Sequence, residues 1–168
     1  FLVGSADVLP LPDASVDVLL TWAALEYLAR RKASVLGFCS GAVAGLVVVT
    51  PACGFITASG AIVIGIAAGI VPFLACTKLK AAFGYDDALD VFGVHCVGGI
   101  TGALATGILV NPELGGIGIT DYTNLTDYTG VYNLVTQLKA QGIAVAATLI
   151  WSGVGSAIIY KLVDLVVG

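Results

Sequence analysis

The chain holds a single histidine, His95, and it closes the run Asp90-Val91-Phe92-Gly93-Val94-His95. On a helix those five steps advance roughly 7.5 Å along the axis, which sets the imidazole about one and a half turns deeper than the carboxylate. No Asp, Glu, Lys or Arg occurs between residues 91 and 112, so the helix carrying His95 is otherwise apolar. An ionisable group inside a bilayer is costly and marks a functional site by default. A neutral imidazole offers one N–H donor and one acceptor, and can therefore line a path for a small polar molecule without presenting a fixed charge. Asp90, at the helix edge, suits capping or pairing with the helix dipole. A second chemistry, His95 and Asp90 as acid and base of an intramembrane enzyme, lacks a nucleophile, because Ser40 and Ser152 have no catalytic context.

The segments that would position these residues are membrane spans. Hydrophobic residues make up 58% of the 168 and charged residues 11%, with a mean hydropathy of +1.03, whereas soluble domains carry about 25% charge. Charge-free runs cover residues 33–77 and 140–160 in addition to the His95 segment, each long enough for a helix of roughly 20 residues. Four cysteines, Cys39, Cys53, Cys76 and Cys96, form no Cys-x-x-Cys pair and read as small buried hydrophobes. Neither a metal nor any other cofactor is expected. The net charge of −4 says little about partners, since the charges sit in loops and helix ends; with few basic residues and none clustered with aromatics, nucleic acid is not expected as a ligand.

In chain order, residues 1–15 contain Pro10 and Pro12 and read as a loop. Residues 18–29 read as a shortened helix interrupted by Glu26, so that residues 1–33 form a lead-in with a partial transmembrane helix. Residues 34–168 form the main transmembrane region. Complete spans are expected at 34–49, 61–77, 89–110 and 131–167, with a reversal at Thr50-Pro51-Ala52-Cys53-Gly54, a polar link over 78–89 and a long outer loop over 111–130. Either Asp87 or Asp90 could cap the third span. The last stretch exceeds the bilayer thickness and must tilt, bend or emerge.

Six of the seven basic residues, Arg30, Arg31, Lys32, Lys78, Lys80 and Lys161, fall on one side of these spans. By the positive-inside rule that side is cytoplasmic, which brings the C-terminus into the cell and makes the protein multi-pass in the cell membrane, the inner membrane if bacterial. Gly37, Gly41 and Gly45, then Gly65 with Gly69 and Gly98 with Gly102, recur every four residues. Such small-residue faces let helix backbones approach closely, so a tight bundle is expected.

These motifs carry a family resemblance. The segment Cys39-Ser40-Gly41-Ala42-Val43-Ala44-Gly45-Leu46, with Val49-Thr50-Pro51-Ala52-Cys53-Gly54, resembles the eighth transmembrane region of ammonium transporters of the Amt/MEP/Rh superfamily. Asp86-Asp87 followed by the run from Asp90 to His95 resembles the tenth. Ile150-Trp151-Ser152-Gly153-Val154 with Tyr160-Lys161-Leu162-Val163-Asp164 resembles the last. Asp-Val-Phe-Gly-Val-His favours the Amt branch.

The resemblance implies an all-α polytopic bundle of about four complete transmembrane helices and a partial one, cut from an eleven-helix fold of two inverted repeats that assembles as a trimer with one pore per subunit. It implies that His95 is one of two hydrogen-bonded pore histidines, and that Val43 and Val91 match positions lining a narrow apolar pore. Asp90 is expected to support the structure near that pore. The substrate implied is ammonium, deprotonated and passed as ammonia, and a cytosolic regulatory protein is a possible partner. The second histidine, the aromatic gate and the outer recruitment site belong to earlier helices that are not in this sequence, so the chain is expected to be a fragment that does not conduct alone. The alternative is a non-conducting structural or regulatory membrane fragment that pairs with a full transporter.

Overall fold

The charge-free runs are helical. The computed structural model describes residues 11–110, 119–121, 126–128 and 133–168, and among these, four helical stretches are long and apolar enough to cross a membrane: Val35–Ala52, Ala58–Phe83, Phe92–Leu109 and Leu134–Val167. The elements in order are α1 (Leu11–Arg30), α2 (Val35–Val49), α3 (Ala58–Leu74), α4 (Lys80–Phe83), α5 (Gly98–Leu109), the strands β1 (Ile119–Asp121) and β2 (Thr126–Tyr128), and α6 (Leu134–Val167). The bundle is all-α. The two strands form a small antiparallel ladder, Ile119 opposite Tyr128, inside the stretch expected as a loop, most of which lies outside the described residues.

Local sequence explains where the helices start and stop. Ser34 precedes α2 in an extended conformation, and its hydroxyl accepts the Gly37 N–H at 2.9 Å. Pro51 then follows in a 3-10 turn, Thr50–Ala52. Thr57 caps α3 in the same way, accepting from Gly60 N at 3.3 Å. Within α3, Pro72 has no N–H to give, and three residues later the helix widens into a π-helical turn, Ala75–Leu79, before continuing as α4. The polar link expected over 78–89 is thus helical up to Phe83. Nothing in Lys78 to Phe83 breaks a helix, the lysines suit its C-terminal end, and Gly84 terminates it with a φ of +63°.

The N-terminal region differs most from expectation. Residues 11–15, read as loop, begin α1, whose first turn accommodates Pro12 because its missing N–H is not needed there. The shortened helix expected over 18–29 is the middle of a 20-residue helix. Val18, Trp22 and Glu26 recur every four residues and are all buried. They run antiparallel to the glycines of α2: a Cβ at Gly45 would lie 3.0 Å from Val18 Cγ2, one at Gly41 would lie 2.9 Å from Trp22 Cβ, and one at Gly37 would overlap the Glu26 carboxylate. Gly69 of α3 receives Thr21 in the same manner, at 2.6 Å from Thr21 Cβ.

Two apolar clusters hold the bundle. One joins Val18, Val48, Ile64 and Ala68. The other joins Trp22, Ala44, Phe73 and Val94, with the Trp22 and Phe73 rings edge to face at 5.4 Å. Lipid tails are as apolar as these side chains, so the clusters gain from close packing rather than from escape from water. That is why the glycine contacts matter: each lets two backbones come within dispersion range. α6 is different. It spans about 51 Å at 1.5 Å per residue, contains no buried residue, and meets α5 where Gly107 lies against Gln141 and Leu138.

Candidate functional site

The entry to α5 is built from Asp87, Asp90 and Lys80. The Asp87 carboxylate accepts the Val91 N–H at 2.9 Å and the Phe92 N–H at 2.8 Å, which caps the helix. Asp90 takes another role. Its φ of +56° lies in the left-handed region, and its Oδ1 stands 2.7 Å from Lys80 Nζ, which also donates to the Asp87 carbonyl at 2.5 Å. Of the two acids considered as caps, the structure uses Asp87, and Asp90 fastens the start of α4 to the start of the next span.

His95 lies in a second π-helical turn, Phe92–Val97, in which Gly98 N–H reaches the carbonyl of Gly93 five residues back. The buried face of this helix passes through Gly93, Val94, Gly98, Gly102 and Thr106. His95 is on the other side and is exposed. It lines two adjoining recesses between this helix and α6. One, of about 520 Å³, runs along Gly99, Ile100 and Ala103 on one wall and Gln141, Thr148 and Ser152 on the other. The other, of about 710 Å³, runs toward Tyr85, Asp87, Val91 and Phe92, facing Ser152 and Ser156. His95, Cys96 and Ser152 belong to both, so the histidine stands where the two halves of one groove meet.

The walls are apolar with hydroxyls at helical spacing: Thr148, Ser152 and Ser156 follow one another every four residues on α6. Thr148 spends its proton on the Ala144 carbonyl at 2.8 Å. At the groove's end, the Tyr85 ring is edge-on to Phe92 at 5.4 Å, and its hydroxyl is buried with no hydrogen-bond partner among the described residues. Burial, and next the Asp87 carboxylate, hold that phenol above its ordinary pKa. Such a groove could pass a small molecule that hydrogen-bonds weakly and carries no net charge. It offers no three-ligand metal cluster among the described residues.

Val91 and His95 share the groove. Val43 does not line it: it is exposed on α2, beside Ala44, which packs in the cluster containing Val94. The groove residues with polar side chains that were not singled out from the sequence are Tyr85, Gln141, Thr148 and Ser156. The four-residue spacing of hydroxyls on α6 was the available signal, and it needed the position of α5 to give it meaning.

Residues 14–168 match the Ammonium Transporter Family. The chain is 39% identical over 155 residues to an ammonium transporter of Aquifex aeolicus, covering 92% of this chain and 34% of that protein. It is 42% identical over 140 residues to the ammonium transporter Amt1 of Archaeoglobus fulgidus, covering 83% of this chain and 33% of that one. Among solved structures it superposes on Saccharomyces cerevisiae Mep2 with a TM-score of 0.77 and 31% identity, covering 94% of this chain and 34% of Mep2. The chain thus spans about a third of the length of these relatives. Sequence, helical architecture and structural likeness agree over nearly all of its residues: the chain belongs to the ammonium transporter family.

Proposed function

We propose that this chain is the C-terminal part of an ammonium transporter, and that the groove bearing His95 is one wall of its conduction path. The observation that carries the reading is the exposure of His95, in an otherwise apolar helix, at the meeting point of two recesses. Stripping water from a cation in an apolar channel costs far more than moving a neutral molecule. Ammonia can instead pass along imidazole nitrogens while its proton is left behind. In this reading His95 supplies the hydrogen-bonding station. Val91 and Val43 supply the narrow apolar lining, Val43 doing so only once the other wall is in place. Asp90 is a supporting residue, held by Lys80 at 2.7 Å.

The full-length transporter is multi-pass in the cell membrane with a cytoplasmic C-terminus, a homotrimer, and open to regulation by a cytosolic protein. It is a transporter and not an enzyme. The other wall of the path comes from the remaining two thirds of the relatives' length, so residues 1–168 alone are expected not to conduct. The long unburied face of α6 also suits a second reading, a non-conducting segment that pairs with a complete transporter.

Expression in cells lacking their own ammonium uptake separates these. The full-length transporter carrying this segment is expected to restore growth on low ammonium, and His95→Ala to reduce uptake or to lower its preference for ammonium over potassium. Wild-type uptake and preference in His95→Ala would remove the residue from the path. Loss of uptake by a co-expressed full transporter, caused by residues 1–168 alone, would favour the pairing reading.

A further inference from the structure

We propose that the contact between Gly93 and Cys76 sets the direction in which His95 points, so that both are positioning residues for the conduction path. The proposal rests on the reading of His95 given above. His95 lies inside the π-helical turn Phe92–Val97, and the other π-helical turn, Ala75–Leu79, contains Cys76. Such turns are rare in proteins and concentrate at functional sites. Here two of them meet. A methyl group at Gly93 would overlap Cys76 Sγ and would lie 3.0 Å from Cys76 N and 3.3 Å from its Cα. With the sulfur in place, only a residue without a side chain allows this approach, and Cys76 Sγ also reaches the Asp90 carbonyl at 3.9 Å.

The geometry makes this contact consequential. A π turn holds one residue more than an α turn, and one residue rotates a helix by about 100°. Winding the turn Phe92–Val97 back to α-helix would therefore turn His95 relative to the face of α5 that is anchored by Gly98 and Gly102 against α2. Gly98 faces Val47 and Val48, and a Cβ at Gly102 would overlap the Val48 carbonyl, so α5 itself cannot rotate to compensate. The widened turn persists because Gly93 can settle onto Cys76. A side chain at Gly93 pushes the helix off that seat and carries His95 out of line with Ser152 across the groove.

The test uses the full-length transporter and counts uptake per membrane-inserted molecule. Misplacing a working group by about 1 Å can cost on the order of a hundredfold. Gly93→Ala is accordingly expected to lower ammonium uptake by roughly tenfold to a hundredfold and to weaken discrimination against potassium in the molecules that do insert. Cys76→Ala removes the overlapping sulfur and leaves the 3.0 Å approach to the backbone N of residue 76, so the double variant Gly93→Ala with Cys76→Ala is expected to recover insertion and part of the uptake and discrimination lost in the single variant. The proposal is overturned by wild-type uptake and discrimination in Gly93→Ala, or by a double variant no better than the single one. If Gly93→Ala fails to insert, the double variant decides alone, since it must insert and discriminate. Absence of uptake in the wild type would instead count against the transport reading itself.

Discussion

The Glu26 carboxylate of α1 accepts the backbone N–H of Ser34 at 3.0 Å and its hydroxyl proton at 2.7 Å, while the Ser34 oxygen accepts the Gly37 N–H. One acid thus holds the start of a neighbouring helix through its capping residue. Arg30, one turn on, approaches the same carboxylate at 3.8 Å. Glu26 is only 4% exposed, so losing it strands donors in a place that water reaches poorly. Glu26→Ala is expected to lower stability by about 2 kcal/mol. Glu26→Gln keeps one acceptor oxygen and should lose less. Thermal unfolding of the purified protein in detergent measures both, and equal melting temperatures for Ala and wild type would show that the relay carries no stability.

Asp87 and Asp90 should respond differently to substitution. Asp87→Ala removes both acceptors from the Val91 and Phe92 N–H groups and is expected to cost about 1 kcal/mol, the usual worth of a cap. Asp90→Asn leaves that cap intact, and asparagine tolerates a positive φ, so its folding should stay close to wild type. Asp90→Val places a β-branched residue at φ +56° and should lose about 1–2 kcal/mol from backbone strain alone. If Asp90→Val melts with Asp90→Asn, the left-handed conformation is not retained in solution.

Much of the bundle is legible in the charge pattern, because a run without charge long enough to span can satisfy its backbone only as a helix. The overlong last helix and the glycine faces follow from that pattern and from spacing. α1 was not legible: Glu26 looks like an interruption until Ser34 is seen to donate to it and Gly37 to leave room for it. The partnership of Lys80 with Asp90 joins residues on two sides of a turn, and no local rule singles it out from Lys78 with Asp86. The two π turns leave no mark in residue type, apart from Pro72 and Gly93 nearby. At the candidate site, the family motif brings attention to His95 and Val91, but the groove exists only because α6 lies alongside α5, a tertiary fact.

Arg31 closes α1 with a φ of +59°, its N–H reaching the Tyr27 carbonyl at 2.7 Å. This is the position after a helix where glycine is most favoured, since it has no Cβ to strain. Arg31→Gly is expected to raise stability by about 1 kcal/mol, since the side chain that it removes is exposed. A lower melting temperature in the variant would mean that the arginine contributes an interaction larger than the strain it causes.

Ser152 faces His95 across the groove and belongs to both of its recesses, so its substitutions can separate space from hydrogen bonding. If the wall acts by leaving a narrow apolar passage, Ser152→Ala should preserve ammonium uptake in the full-length transporter, because it removes an oxygen and adds no bulk. Ser152→Leu fills the passage opposite the imidazole and should reduce uptake on the order of tenfold or more, the factor that corresponds to about 1.4 kcal/mol. If Ser152→Ala fails while insertion is normal, the hydroxyl is itself a station for the transported molecule. If Ser152→Leu transports as wild type, the groove between α5 and α6 is not the path, and His95 must face the substrate from another side.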